Sequence, residues 1–338
     1  MSILVNAYCT HLMPPSLAFS HTLHGRRDLT NPELTQHLKG FQGYVLEKGK
    51  KEMTKIKYHL LRHIQRVNHH ISFTIEETDL DALAQWSLAS NAILFLKDGS
   101  IRSPEGSVLF TPNGDLPDPA VNVPFLPESY KRREQTAHFL KQANIPVPNL
   151  PPIPCEQELL LRPEDAIYHR AMALFVVALR AESLATGEPI QIETLKEKIP
   201  DGFIDLSPAE IVFLDGEPSE EEVIQFAWRY EGVALLLWVL GLLPELVFPN
   251  SICDVPNVAK IAFNCDAFKK DIKLKPINEV LDCLDLHYRL HWLCRQARLD
   301  EKALPFEVDS GVIVERHYAL NWLIGFEGSE WDDVDTPT

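Results

Sequence analysis

Apolar and polar residues alternate in two rhythms along this chain, and the rhythm changes near residue 110. Before that point the signals mix. Residues 3–9 are short and β-prone, which predicts a strand, and residues 41–46 read as a second one. Met53, Ile56, Leu60, Leu61, Ile64 and Val67 recur with a helical period and predict a helix over residues 50–67. Residues 70–75 alternate and are β-branched and aromatic, which predicts a strand. Residues 80–90 read as a helix with Leu80, Leu83, Ala84 and Leu88 inward. Strands are expected at 92–96 and 107–110, with a Lys97-Asp98-Gly99-Ser100 turn between them. The pattern predicts a small α+β domain over residues 1–110, of split βαβ type.

Prolines then crowd in, at Pro112, Pro117, Pro119, Pro124 and Pro127, and again from Pro146 to Pro154. Proline fixes φ and removes a donor, so these runs are neither helix nor central strand. Residues 111–127 are therefore expected to link two domains, with one helix over 128–144 between the proline runs. From there the helical signals are strong. Pro163 with Glu164 and Asp165 marks a helix start, and that helix is expected to stop at Gly187. Ser207-Pro208-Ala209-Glu210 and Ser219-Glu220-Glu221-Glu222 have the capping-box pattern. The second is expected to open one long helix to about Leu243. Asp254 is expected to cap a helix over 255–263, Pro276 to begin one reaching about Leu299, and Asp309 or Ser310 to cap a last one over 312–326. The fold class predicted is α+β overall, with a mainly α-helical domain over 128–338.

Composition narrows the class. Of 338 residues, 45% are hydrophobic and 24% charged, ordinary for a globular chain. The longest apolar run, residues 233–243, stops at Pro244, short of the roughly 20 residues that span a bilayer. No basic region precedes the first apolar residues, so a secretory signal is not expected. Six scattered cysteines without a CxxC pair suggest free thiols in a reducing cytoplasm. The net charge of −16 is uneven: residues 1–150 carry 16 Lys+Arg and 14 Asp+Glu, residues 151–338 carry 16 and 34. Such an acidic second half repels phosphate backbones, so nucleic acid is not an expected partner there; with no spanning run no membrane is expected either, and an unknown protein partner stays open. Residues 39–66 are locally basic, which reads first as a solvated helix face, with contact to nucleic acid or an acidic partner as the alternative.

The helix expected from Pro276 holds the candidate chemistry. Ile277, Leu281, Leu284, Tyr288 and Trp292 line one face, and Leu286, Leu290, Leu293 and Ala297 the opposite one. A helix apolar on both sides is normally buried on both sides. Yet it carries Asp282, Asp285, His287, Arg289, His291 and Arg295, and burying such groups is costly unless they are paired. Asp285 and Arg289 are four apart and meet on one face. The next helix offers Glu315, Arg316, His317 and Asn321, and the tail offers Trp331, Asp332 and Asp333. These segments are expected to meet in a buried or half-buried polar network, with Glu231 reaching Arg289, Arg295 or Arg316, or lying at a solvated edge. His287 and His291 share the i, i+4 face of a two-histidine metal site, but His-Tyr-Arg-Leu-His lacks the glutamate of H-E-x-x-H. Walker, GxGxxG, GxSxG and EF-hand motifs are absent, and no cofactor, metal or catalytic residue is assigned.

Several segments together resemble the bacterial domain-of-unknown-function family 4272. They are NIPVPNLPPIP, LLLRPEDAIYHRAMAL, WVLGLLPELVFPNSICDV, LDLHYRLHWLCRQ, GVIVERHYALNWLI and WDDVDTPT, over about residues 127–338. The resemblance implies a helical domain and supplies no site residues. The expected function is a non-enzymatic interaction or regulatory module in the cytoplasm, its oligomeric state left open. The alternative is a metal- or small-ligand-binding protein, or a hydrolase, using the His/Glu/Asp cluster.

Overall fold

The computed structural model describes residues 2–49, 51–114, 121–265 and 269–338. The chain divides into two compact units, residues 1–131 with 152–159, and residues 132–151 with 160–338.

The first unit is built on a sheet. Strands β1 (Ser2–Cys9), β2 (Thr22–Asp28), β3 (His69–Glu76), β4 (Ala92–Leu96), β5 (Ile101–Arg102) and β6 (Val108–Phe110) pair antiparallel in the order β2-β3-β1-β4-β5-β6. Every pairing among the described residues is antiparallel, and the expected split βαβ arrangement is present: β3 and β4, joined through α3 (Leu80–Ala89), run parallel to one another on either side of β1. Helices α1 (Glu33–Glu47), α2 (Lys55–Gln65) and α3 (Leu80–Ala89) cover the sheet. Side chains alternate across β1, because strand periodicity is two. Tyr8 therefore joins Ile93, Phe41, Val45, Leu60 and Ile64 on the face of α1 and α2. Val5, Ala7 and Cys9 join Phe73, Leu83 and Trp86 on the face of α3.

Two readings of this region are corrected. Residues 41–46 are helical, not a strand, because Leu34, Phe41 and Val45 are buried along one stripe of α1. On α3 the buried residues are Leu83, Trp86 and Ser87, while Leu80 and Leu88 are exposed. Residues 152–159 group with this unit through Glu158. Its carboxylate, 4% exposed, accepts from Thr10 Oγ1 at 2.7 Å, Arg66 Nη1 at 3.0 Å, Asn91 Nδ2 at 3.0 Å and the Cys155 amide at 3.0 Å.

The second unit is helical. The division falls inside α4 (Pro127–Gln142). After it come α5 (Glu164–Ala185), α6 (Ile192–Lys198), α7 (Pro208–Asp215), α8 (Glu220–Ala227), α9 (Arg229–Val239), α10 (Val255–Phe263), α11 (Ile277–Leu299) and α12 (Ser310–Leu323). The caps lie where the polar residues placed them. Ser207 and Ser219 close capping boxes with Glu210 and Glu222, and Asp309, not Ser310, accepts from the Gly311 and Val312 amides. The long helix expected from Ser219 to Leu243 is two helices, broken at Trp228 and ended at Val239. Helices α5 and α9 are apolar and buried almost all round and pack against one another at the centre of the unit.

Candidate functional site

Helix α11 carries charge into this core, and each charge there has a partner. Asp285 and Arg289 are 0% and 1% exposed and form a two-pronged pair, Nε to Oδ2 at 2.9 Å and Nη2 to Oδ1 at 2.8 Å. Arg289 Nη2 also reaches the Pro151 carbonyl at 3.4 Å. Asp282 and Arg295, on the same helix, are exposed; Asp282 accepts from Arg132 Nε at 2.7 Å and Arg295 donates to the Thr338 carbonyl at 3.0 Å.

Helix α12 repeats the arrangement. Arg316, 0% exposed, donates through Nε to Glu231 Oε2 at 3.0 Å and through Nη1 to the Val247 carbonyl at 2.7 Å. The other Glu231 oxygen accepts the Cys253 amide at 2.6 Å. Glu231 is thus buried and paired with Arg316, which settles its two readings against a solvated edge. Its neighbour in sequence, Glu315, meets Arg229 of α9 at 2.9 Å. Burial pushes the Glu315 carboxyl up, against the pull of the Arg229 guanidinium.

The tail closes onto this framework. Trp331 is 4% exposed, with its ring edge-on to Tyr318 and Trp322 at 5.1 and 5.7 Å. The guanidiniums of Arg170 and Arg229 lie 4.9 and 5.7 Å from its centroid, within cation–π range. The Tyr318 hydroxyl donates to the Trp331 carbonyl, and Arg170 pairs with Glu210 of the α7 capping box. Asn321 Nδ2 donates to the Asp335 carbonyl at 2.7 Å, and Asp332 accepts the Ala209 amide at 2.9 Å. Asp333 is exposed, and its backbone amide donates to the Glu330 carbonyl at 3.1 Å.

The histidines form a separate group. His291 Nδ1 and His317 Nδ1 are 2.9 Å apart, and His287 Nδ1 donates to the Cys283 carbonyl at 2.8 Å. His287 Nε2 is buried without a partner among the described residues. Burial holds His287 down at about 4 and His317 well below the usual imidazole value, so both are neutral near neutral pH. Among the described residues, no group of three or more His, Cys, Asp or Glu has the geometry to hold a metal ion.

The predicted residues therefore do not converge on one point. They separate into the α11 pair, the Arg316–Glu231 pair, the histidine group and the Trp331 plug. Sequence reasoning missed Arg170, Arg229 and Glu210. Arg170 was detectable in principle, as one cation inside the apolar α5 stripe. It also passed over a cleft in the first unit, lined by residues that include Asn6, Arg27, Asn31, His37, His70 and Ser72.

No helix among the described residues is long and apolar enough to cross a membrane. Residues 132–334 match the family described as a domain of unknown function, DUF4272. No curated protein and no solved structure matches the chain.

Proposed function

The chain belongs to the DUF4272 family, and we propose that it is a non-enzymatic interaction or regulatory module whose helical domain is a scaffold rather than a reaction centre. One observation carries this reading. The charged side chains that composition marks out on α11 and α12 are spent on one another or on backbone carbonyls. Asp285 with Arg289 and Glu231 with Arg316 are buried to 2% exposure or less and present no group to a ligand. A general acid or base must instead reach a proton on a substrate. The six cysteines, all free thiols and five of them buried, support placing the protein in a reducing cytoplasm.

The test is cross-linking in the source cells, followed by reconstitution of any captured complex from purified components. A defined partner that binds wild type and an Asp285→Leu/Arg289→Met double variant equally well supports the scaffold reading. Loss of that binding in a variant that remains folded overturns it.

One observation favours a second reading, metal or ligand binding at the histidine group: His287 Nε2 is buried and unpartnered among the described residues. Elemental analysis of protein purified without added metal decides between the two. A stoichiometric transition metal, lost in His287→Ala/His291→Ala, would establish the second reading.

A further inference from the structure

The cleft in the first unit lies on the α1 face of the sheet, is open to solvent, and has a volume of about 430 Å³. Strand alternation places Asn6 of β1 and Ser72 of β3, which are register partners, beside Tyr8 and His70, which are also partners. A bulge between Leu23 and Gly25 in β2 re-aims this edge. It turns His24 toward Thr74, whose hydroxyl is 2.7 Å from its Nε2, while Arg27 remains opposite His70. The turn before α1 and the start of that helix close the cleft with Asn31, Glu33 and His37.

The hydrogen bonds within this cleft occupy the side-chain acceptors of His70, Asn6 and Asn31, leave the Glu33 carboxylate at the rim, and leave several donors. Arg27 Nη1 donates to His70 Nδ1 at 3.3 Å, so the proton of this neutral imidazole sits on Nε2. That N–H donates to Asn6 Oδ1 at 3.1 Å, which leaves the Asn6 amide nitrogen over for the cleft. The Tyr8 hydroxyl, which burial keeps protonated, lies 3.0 Å from His37 Nε2; with the hydroxyl as donor, the imidazole proton is left on Nδ1. Asn31 Oδ1 accepts the Glu33 amide at 2.8 Å and again leaves the side-chain amide nitrogen. Arg27 Nε faces Glu33 at 3.4 Å, and its Nη2 has no partner among the described residues. Neither has the Ser72 hydroxyl. Burial, with Arg27 nearby, lowers His37 and holds His70 down at about 3, so neither adds positive charge.

Free donors thus approach from β1, β2, β3 and α1, with one guanidinium edge among them. A ligand that suits them presents acceptors in several directions and carries negative charge. A tetrahedral phosphoryl group does this, and a forked guanidinium suits it. A planar carboxylate offers only two oxygens. The volume falls in the range of clefts that bury whole small molecules, about 300–1,000 Å³, so the phosphoryl group is expected to carry an organic body. Glu33, an exposed acceptor at the rim, suits hydroxyls on that body.

We propose that the cleft between β1, β2, β3 and the start of α1 binds a small phosphomonoester, its phosphoryl group held by Arg27 Nη2, Asn6, Asn31, His37 and Ser72. The site lies wholly in the first unit and does not depend on the scaffold reading of the second. The full chain is titrated calorimetrically, at fixed ionic strength, with ribose 5-phosphate, inorganic phosphate and acetate. Ribose 5-phosphate is expected to bind at least tenfold tighter than inorganic phosphate, and acetate not measurably. Asn31→Asp keeps the acceptor for the Glu33 amide but turns the free donor into a carboxylate oxygen. It should leave the melting temperature unchanged and weaken ribose 5-phosphate at least tenfold, as should Arg27→Met. No binding of either phosphate at millimolar concentration overturns the proposal. So does acetate binding as tightly as ribose 5-phosphate, or affinity unchanged in both variants.

Discussion

Arg289 shows how a charge can be conspicuous in a sequence and silent in function. Its guanidinium is 1% exposed and grips Asp285 with two nitrogens. Removing one member of such a pair strands the other in a low-dielectric core, which costs roughly 3–5 kcal/mol, whereas replacing both with apolar residues of similar volume is often neutral or stabilising. Arg289→Ala should therefore lower the melting temperature by on the order of 10 °C. Asp285→Leu/Arg289→Met should leave it near wild type or raise it. Calorimetry on both variants checks this, and an unchanged temperature in Arg289→Ala would mean the pair is not desolvated. The i, i+4 spacing of this pair was legible in the sequence. Its burial followed from an apolar stripe on each side of α11. The partner of Glu231 was not legible beyond three candidates, because Arg316 lies 85 positions away and only helix packing selects it.

At the scale of elements, caps were read well and backbone breaks poorly. A capping box is local: four residues contain both hydrogen bonds. Ser219→Ala removes one at an exposed helix start and should cost about 1 kcal/mol in a urea titration. Breaks depend on what lies across the gap. The Ser219 helix divides at Trp228, whose ring lies where a Cβ on Gly311 would meet it at 2.7 Å. The same dependence appears at Gly202, where a Cβ would sit 2.3 Å from Val176 Cγ2 and 2.8 Å from the Met172 carbonyl of α5. Gly202→Ala should cost about 1–3 kcal/mol through overpacking, measured by denaturant midpoint, and a neutral result would mean that the short turn can move away from α5. Residues 41–46 of α1 read as a strand because Phe41, Tyr44 and Val45 are individually strand-prone. The deciding contacts of its stripe lie on the sheet beneath it.

At the scale of the whole molecule, buried histidines give a prediction for pH. His63 and His70 in the first unit are held at about 3, and His287 in the second at about 4, chiefly by burial; His317 lies well below its usual value for the same reason. The unfolded chain takes up these protons near pH 6.5, and the folded chain does so only lower down. Stability is therefore full above pH 6.5 and falls as pH drops toward about 4, by up to about 1.4 kcal/mol per pH unit for each group. Glu315, whose carboxyl is raised, opposes this, but it is one group against four. Melting temperatures of both units should fall between pH 7 and pH 5, and His287→Asn should flatten the curve for the second unit. A melting temperature that holds level over that range would contradict the burial of these imidazoles.

The sequence by itself determined the helical class of the second unit, its caps, its need for paired charge on α11 and its kinship with a family that matches residues 132–334. Each of these rests on spacing within one helix or on short segments, and such signals survive without knowledge of distant contacts. Tertiary structure decided which charges pair, why Trp331 anchors the tail between Arg170 and Arg229, and that the histidines stand apart from the ion pairs. It also decided where a ligand has room. Asn6, Arg27, His37 and His70 lie within a chain segment of 65 residues but come from three strands and a helix, and only sheet register and one bulge place them around a common space.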